Sequence, residues 1–180
     1  MTDQISKIKL VPLGQEHEKL LLDWRTDPSV ANMMSDKSVI SAKSHKKWLD
    51  LQLTRRDSTS CIRIATVNSK PLGVISFKKH NENAWEWGFY KAPMAISGTG
   101  LTICTAGIAW ADCFLKPRPK CLIAKVLETN QRSINLHEKL GFSRISTTSW
   151  IALTTSVAQD HHVFFSLDLS YQGGTSDFLN

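Results

Sequence analysis

The chain has 180 residues, of which 42% are hydrophobic and 21% are charged, and its formal net charge is +6. This length and composition are those of one globular domain with a proper core. No apolar run reaches the ~18 residues that a membrane span needs, and the first residues lack a secretory pattern, so we expect a cytoplasmic protein with no membrane partner. The four cysteines form no CxxC pair, so we expect no metal site.

The first half of the chain predicts one strand and three helices, followed by three antiparallel strands. Alternation and helical periodicity predict the first four elements at residues 5–11, 15–25, 28–34 and 44–54. Asp27 is suited to cap the short helix that begins at Pro28. Turn residues separate the next three strands, which we expect at residues 61–67, 72–79 and 84–90.

The second half predicts helices and strands in alternation, at residues 99–115, 121–128, 130–140, 143–153 and 162–169, of which the first and third are helices. The order of elements predicts an α/β (α+β) fold with a mixed, mostly antiparallel sheet of about seven strands flanked by helices, and one parallel crossover. We expect a single domain over residues 1–170 and a flexible C-terminal tail over residues 171–180.

Two strand-to-helix junctions carry the features of a phosphate-binding site. Gly98 and Gly100 open the helix at residue 99, and such a loop presents unpaired backbone N–H groups and the positive end of the helix dipole. At the second junction, Thr129 or Asn130 can cap the helix, and Asn130, Ser133 and His137 share one of its faces. Polar side chains at the C-terminal end of a strand indicate one phosphorylated ligand bound between the junctions.

The order of elements, the loop Ser97-Gly98-Thr99-Gly100 and the unit at residues 128–142 resemble the GNAT superfamily of N-acetyltransferases over nearly the whole chain. Within it, the segments WRTDP, SHKKW, WGFY and HEKLGF resemble the enzymes that acetylate a UDP-linked 4-amino sugar in pseudaminic acid biosynthesis, for flagellin or surface-glycan modification. The resemblance implies the GNAT fold, in which strands 4 and 5 splay apart.

The resemblance also implies acetyl-CoA as the cosubstrate and a UDP-linked amino sugar as the small-molecule substrate, with a homodimer as the assembly to consider. The pantetheine arm would pair like an extra strand with Phe89 and Tyr90, and Asn130 and Ser133 would face it from the other side. The pyrophosphate would bind the backbone amides of Ser97, Gly98, Thr99, Gly100 and Leu101.

Two positions depart from the family pattern, and they bear on the chemistry. Ala95 replaces the usual Gln or Arg of the loop, so backbone binding survives without that side chain. His137 stands where many members have a tyrosine that protonates the departing thiolate; we predict it as the general acid, because an imidazolium donates a proton near neutral pH. The alternative is a ring that only packs under the next strand. Glu128 or Glu86 could relay the ammonium proton through water, or could simply pair with a cation.

The resemblance places the nucleotide of the substrate on Arg25, Met34, His45 and Trp48. Lys78 and Lys79 could supply cations for its diphosphate, although alternation along a strand lets at most one of them face the site. Trp48 could instead anchor the core. Trp85 and Trp87 share a strand face and are expected to pack against a helix.

Other functions are compatible with parts of the same sequence. The same fold and cosubstrate could serve a protein N-terminus or another small amine such as an aminoglycoside, although the positive net charge favours a nucleotide diphosphate. A basic nucleic-acid-binding domain is the alternative from a different class; the basic residues are scattered, so we expect no nucleic-acid partner. The loop lacks the Lys-Ser/Thr ending of a P-loop, which excludes that class of nucleotidase.

Overall fold

The computed structural model describes residues 8–36, 38–55, 59–157 and 161–170. Within these residues the chain forms seven strands and six α-helices. The strands are β1 (Lys9–Pro12), β2 (Ser60–Val67), β3 (Lys70–Lys79), β4 (Ala84–Lys91), β5 (Cys121–Leu127), β6 (Ser143–Ile145) and β7 (His162–Asp168). The helices are α1 (Glu18–Thr26), α2 (Pro28–Ala31), α3 (Ala42–Thr54), α4 (Thr99–Phe114), α5 (Gln131–Lys139) and α6 (Thr147–Thr154). None of these described helices is long and apolar enough to cross a bilayer.

The strands lie in one mixed sheet, in the order β1-β2-β3-β4-β5-β7-β6. Neighbouring strands run antiparallel except β4 and β5, which are parallel and are connected through α4. This topology confirms the predicted α/β fold, with a mostly antiparallel sheet and one parallel pair near its middle.

The parallel strands β4 and β5 separate after three residue pairs. Their last pair joins Glu86 and Ile123, although β4 continues to Lys91 and β5 to Leu127. On its other side, β4 stays paired with β3 as far as Lys91, and β5 stays paired with β7 as far as Leu127. Backbone groups of both strands therefore face a gap, and the predicted splaying of strands 4 and 5 is confirmed.

Helices cover both faces of the sheet. On one face, α4 and α5 enclose the buried rings of Trp85 and Trp87, as the sequence predicted for this pair. α1 and α3 cover the opposite face beside β2 and β3, and α6 covers that same face beside β5 and β7. Because side chains alternate along a strand, Glu86 and Ile123 point away from α4 and α5. The face that carries Glu86 is therefore the face of α1, α3 and α6.

The prediction of a long strand over residues 143–153 is wrong. β6 has three residues, and Ser146 then caps α6 by accepting a hydrogen bond from the Ser149 N–H at 3.1 Å. Trp150 and Thr154, four residues apart, are both buried, so burial follows a helical period here. The β-branched residues of the segment favoured a strand, but the cap and the buried Trp150 ring determine a helix.

Other predicted boundaries also differ from the structure, chiefly those of the first two helices, and two predicted segments lie outside the described residues. The short second helix ends at Ala31 rather than at residue 34. A 3-10 turn (Gln15–His17) precedes α1, so the first helix begins at Glu18 rather than at residue 15. Residues 5–7 of the first predicted strand and the predicted tail at residues 171–180 lie outside the described residues.

Gly73 lies where β3 approaches both β4 and α4. A Cβ atom at this position would lie 2.7 Å from the carbonyl oxygen of Tyr90 and 2.7 Å from Cδ1 of Ile103. Because the backbone oxygen belongs to the β3–β4 pairing, we expect Gly73→Ala to lower the free energy of unfolding by about 1–3 kcal/mol. Urea denaturation measures this change. Gly100→Ala is the control, because its Cβ would meet only Leu136, at 3.6 Å. Unchanged stability of Gly73→Ala would contradict this packing.

Candidate active site

The gap between β4 and β5 is the first component of the site. Phe89 and Tyr90, predicted to flank the pantetheine arm, lie on the part of β4 that has lost β5 as a partner. Their side chains point to opposite faces, Phe89 toward Trp87 and α5, and Tyr90 toward a pocket beside α1 and α3. Burial raises the pKa of the Tyr90 hydroxyl, so this group stays neutral. The backbone edge of β4 can pair with an extended, amide-bearing chain.

The loop before α4 presents backbone amides at the end of β4. Gly98 has a φ of 88°, and a Cβ atom there would meet nothing within 4 Å. Two of the five predicted amides bond within the protein: Thr99 N–H to the Ile96 carbonyl at 3.3 Å, and Leu101 N–H to the Gly98 carbonyl at 3.0 Å. In the described part of the chain, the other three amides, those of Ser97, Gly98 and Gly100, have no acceptor. These three can bind a phosphate.

Lys91 fixes the same loop from the end of β4. Its Nζ donates to the carbonyl oxygen of Ala95 at 2.7 Å. Ala95 lacks the long side chain that the family pattern has at this position, and Lys91 brings a positive charge to the same residue. This contact has no counterpart among the sequence predictions. The sequence signal that could have revealed it is the spacing: Lys91 precedes Ala95, the position that departs from the family pattern, by four residues.

The β5–α5 junction lies at the end of the other strand of the gap. Asn130 caps α5, because its Oδ1 accepts from the Ser133 N–H at 3.1 Å. The cap uses the side-chain oxygen, so Nδ2 is the group that can donate to a ligand. The Ser133 carbonyl accepts from Nδ1 of His137 at 2.7 Å. Ser133 is therefore fixed through its backbone, and its hydroxyl lies 3.4 Å from the same ring nitrogen.

His137 lies in an aromatic enclosure on the α5 side of the sheet. The residue is 2% exposed. Four rings have centroids 5.1–5.8 Å from the imidazole, those of Trp87, Phe89, Phe142 and Phe165. Burial lowers the pKa of His137. With Nδ1–H on the Ser133 carbonyl, Nε2 carries a lone pair that has no partner among the described residues. This environment favours the packing alternative, and the role as general acid stays a prediction.

The two candidate carboxylates lie in different surroundings. Glu128 follows β5, its side chain is 56% exposed, and its Oε2 lies 3.9 Å from Nδ1 of His161. Glu86 belongs to the last residue pair before the gap opens, and it accepts a hydrogen bond from Nε2 of His80 at 2.8 Å. Glu86 is therefore the carboxylate held at the apex of the gap. The catalytic role of Glu128 stays a prediction.

Two adjoining pockets of about 350 Å³ each lie on the sheet face that carries Glu86, and we call them the acceptor pockets. Arg25, His45 and Trp48, which the family resemblance places at the nucleotide, line one of them together with Tyr90. Trp48 stacks on His45 at 5.2 Å between ring centroids, and Nε2 of His45 donates to the Glu18 carbonyl at 2.9 Å. A fixed aromatic surface beside a guanidinium suits a planar ring that carries phosphates.

The remaining predicted substrate residues divide. Lys78 lines the second acceptor pocket and lies opposite Glu86 in the β3–β4 register. Lys79 borders the same pocket, but its Nζ forms an ion pair with Glu82 at 2.5 Å. Met34, half-buried after α2, is not among the described residues that line these two pockets.

Asp36 and Ser76 line the acceptor pockets without having been predicted there. Asp36 shares a pocket with Arg25, and hydrogen bonds from Ser38 lower the pKa of its carboxyl, with a smaller contribution from Arg25. Ser76 lies between the pockets on β3, and its hydroxyl donates to the Gly88 carbonyl at 3.3 Å. Ser76 could have been found, because it shares the strand face of Lys78. Asp36 follows α2 in a loop, where periodicity gives no signal.

Most of the chain matches one known family. The family model described as acetyltransferase (GNAT) domain matches residues 7–143. The chain therefore belongs to the GNAT acetyltransferase family, which makes it an acyltransferase with acetyl-CoA as its cosubstrate. A search of curated proteins found no match.

Solved structures of other acetyltransferases share the fold. N-acetyltransferase PseH from Campylobacter jejuni, solved also with acetyl coenzyme A, is 20% identical with a TM-score of 0.66, covering 91% of this chain and 99% of that chain. Spermidine N-acetyltransferase from Vibrio cholerae, with CoA and spermine, is 12% identical with a TM-score of 0.74, covering 97% and 99%. The aminoglycoside acetyltransferase AAC(6')-Ib, with ribostamycin and coenzyme A, is 14% identical with a TM-score of 0.76, covering 95% and 99%. These likenesses show the fold alone.

The chemistry of the described residues fits acetyl-CoA. The three unbonded amides of the loop would hold the pyrophosphate, and the edge of β4 would pair with the amides of the pantetheine arm. Nδ2 of Asn130 would donate from the β5 side. The thioester would then lie toward the apex of the gap, near Glu86 and beside the acceptor pockets. No three His, Cys, Asp or Glu side chains cluster as a metal site requires, within the part of the chain described above.

We expect Lys91→Met to weaken coenzyme binding, because it removes the charge-assisted hydrogen bond to the Ala95 carbonyl and with it a positive charge at the loop. A loss of about 1.5 kcal/mol raises the Kd about tenfold. Isothermal titration with CoA measures the Kd without needing an acceptor. Lys70→Met, at an exposed lysine where β3 begins, is the charge-matched control and should leave the Kd unchanged. Equal Kd values for both variants would contradict a role of Lys91 in the loop.

We expect the stability of the wild type to fall with decreasing pH through His137. Because burial lowers the pKa of the folded imidazole, the unfolded chain binds a proton below pH ~6.5 that the folded chain does not. The free energy of unfolding then decreases by up to about 1.4 kcal/mol per pH unit through this residue, until the pH reaches the folded pKa. Urea denaturation at several pH values should show a smaller slope for His137→Phe.

His161→Phe is the matched control, because its side chain is 87% exposed, and it should leave that slope unchanged. If the free energy of unfolding of His137→Phe depended on pH as strongly as that of the wild type, a buried neutral imidazole at this position would be contradicted. The same variant tests the role as general acid, since phenylalanine preserves the aromatic packing. The packing alternative predicts a change in kcat of less than threefold across the pH range, whereas proton donation by His137 predicts a loss of 100-fold or more.

Proposed function

We propose that this acetyltransferase acts on the 4-amino group of a UDP-linked amino sugar, by direct attack of the amine on acetyl-CoA in a ternary complex. One observation carries the proposal: Arg25, His45, Trp48 and Tyr90 line one pocket on the sheet face of Glu86. The proposal includes the role that the sequence resemblance implies, in pseudaminic acid biosynthesis and in flagellin or surface-glycan modification. It also includes the cytoplasm as the place of reaction.

The acceptor pockets supply the groups that a sugar nucleotide needs. The Trp48 ring, supported by His45, would stack on the uracil, and Arg25 and Lys78 would bind the diphosphate. The Asp36 carboxylate would accept hydrogen bonds from sugar hydroxyls. Lys79, which borders one of these pockets, and Met34, which is not among the described residues that line either, remain predicted contacts of the nucleotide.

A cationic acceptor such as a polyamine or an aminoglycoside is the main alternative, because acetyltransferases of the same fold have been solved with such molecules. Polycations are attracted by pockets with an excess of carboxylates. The lining of the acceptor pockets has the opposite balance: Asp36 is accompanied by Arg25, Arg55, Lys78 and Lys79. This charge distribution favours an acceptor that carries phosphates.

Direct transfer of the acetyl group from acetyl-CoA to the amine requires no covalent intermediate with the protein. Holding the amine and the thioester in line supplies much of the rate enhancement. Backbone N–H groups on the edge of β4 would stabilise the negative charge that develops on the carbonyl oxygen. The amine must be neutral when it attacks, which a nearby carboxylate can ensure by accepting its proton.

The function is tested by measuring CoA release from acetyl-CoA with a panel of amines. The panel holds a UDP-linked 4-amino sugar, the same amino sugar without UDP, spermidine, an aminoglycoside and a peptide with a free N-terminus. We expect the sugar nucleotide to have the highest kcat/KM and UDP to inhibit competitively against it. Turnover of spermidine, the aminoglycoside or the peptide without turnover of the sugar nucleotide would overturn the proposal.

We expect Arg25→Ala to raise the KM for the sugar nucleotide about tenfold, because one charge-assisted contact to phosphate is lost. The KM for acetyl-CoA should not change, since Arg25 lies on the other side of β4 from α4 and α5. Steady-state kinetics with each substrate varied in turn measures both constants. Arg144→Ala is the control, because that arginine is exposed and pairs with Glu138 at 2.8 Å. An unchanged KM in Arg25→Ala would remove this residue from the nucleotide site.

A further inference from the structure

His80 and Glu86 are joined by a largely buried hydrogen bond. Nε2–H of His80 donates to Oε2 of Glu86 at 2.8 Å, and the two side chains are 5% and 19% exposed. A hydrogen bond to a carboxylate is stronger than one between neutral groups, and it holds the carboxylate in one orientation. The sequence separates the two residues by a turn between β3 and β4, so their contact could not be anticipated from spacing along one element.

Glu86 lies where the two substrates would meet. It belongs to the last residue pair of β4 with β5, so the gap begins immediately after it. Its side chain shares a face with Lys78, opposite in the β3–β4 register, and with Tyr90, four residues further along β4. Lys78 and Tyr90 both line the acceptor pockets. The Glu86 side chain therefore lies on the sheet face of these pockets, at the apex of the gap, although it is not among the described residues that line them.

The second nitrogen of His80 anchors the ring on α6. Nδ1 lies 3.2 Å from the carbonyl oxygen of Thr154, the last residue of α6. The Trp150 ring covers the imidazole edge-on, with 6.5 Å between centroids. A neutral imidazole has one N–H, so donation to this carbonyl as well as to Glu86 requires a proton on both ring nitrogens. The ring cannot turn away from Glu86 without losing this contact.

We infer that His80 is a positioning residue that holds the Glu86 carboxylate toward the ammonium group of the acceptor; this rests on the proposed acetyl transfer to an amine and on the proton relay that the sequence predicts for Glu86. One N–H bond of the ammonium breaks as its proton passes to Glu86, directly or through one water. The N–C bond then forms and the C–S bond breaks. A second N–H proton passes to the thiolate to give the CoA thiol, and Glu86 returns its proton to solvent.

The test is a double-mutant cycle on kcat, at saturating acetyl-CoA and with the amine of the panel that reacts fastest. We expect Glu86→Gln to lower kcat about 100-fold and His80→Phe about tenfold, with the KM for acetyl-CoA unchanged in both. If His80 acts through Glu86, His80→Phe has no further effect in the Glu86→Gln background. A further tenfold loss in that background, or a kcat of Glu86→Gln within threefold of wild type, would overturn the inference.

Two more variants separate positioning from support of α6. Asn81→Asp removes the donation from Nδ2 to the Leu153 carbonyl, which lies at 2.8 Å, and keeps the oxygen that accepts from the N–H groups of Asn83 and Ala84. It should leave kcat within twofold of wild type, and a loss equal to that of His80→Phe would overturn the role of His80. His80→Gln keeps an N–H donor for Glu86 and should retain more activity than His80→Phe. The glutamine variant also allows the test if His80→Phe folds poorly.

A second measurement needs no acceptor. Nitrogen-15 NMR of the histidine side chains should show a His80 Nε2–H proton that moves upfield in Glu86→Gln, because an amide oxygen is a weaker acceptor than a carboxylate. A proton on Nδ1 alone would overturn the hydrogen bond to Glu86. If no amine of the panel reacts, the acceptor assignment fails and this measurement still decides the His80–Glu86 contact.

Discussion

The short pairing of β4 with β5 is the constraint on which the site depends. Three residue pairs join the strands, while β3 and β7 keep their outer edges paired beyond that point. The N–H and C=O groups that face the gap have no strand partner, and such groups cost free energy when they are also shielded from water. The gap is therefore a polar slot that favours water or an amide-bearing ligand over collapse. A pantetheine arm has the amides that this edge can pair with.

Because β4 and β5 are parallel, the helices that follow them both begin near the same edge of the sheet. The amides at the start of α4 and the Asn130 cap of α5 thus lie beyond the open end of the gap, and Glu86 lies at its closed end. A ligand with phosphates at one end and a thioester at the other fits this polarity. On the α5 side, a His137 ring that only packs would offer a lone pair at Nε2, and a leaving thiolate would then take its proton from the attacking nitrogen.

Most helices and strands of this fold can be predicted from local sequence signals. The predictions fail where contacts between distant segments determine the structure. The predicted helix starts at Asp27, Asn130 and Gly98 are found in the structure, because side-chain caps and a positive φ are local requirements. The threonines of α6 favour a strand, but burial of Trp150 against Ile123 and Phe164 outweighs this propensity and the segment is a helix. The His80–Glu86 contact depends on β-strand register and on the position of α6, which no motif encodes. The enclosure of His137 likewise depends on rings from three other segments.

The fold alone does not determine which amine is acetylated, whereas side chains from α1 and α3 restrict the choice of acceptor. Acetyltransferases solved with spermine and with ribostamycin have TM-scores of 0.74 and 0.76 to this chain, so the shared architecture serves different amines. Arg25 and Trp48 come from α1 and α3, which cover only the face opposite α4 and α5. Substitutions there can change the acceptor while the loop and gap for the coenzyme stay intact. A pocket that combines a guanidinium with an aromatic surface and one carboxylate has the groups that the proposed ligand would need, for its phosphates, its flat ring and its hydroxyls.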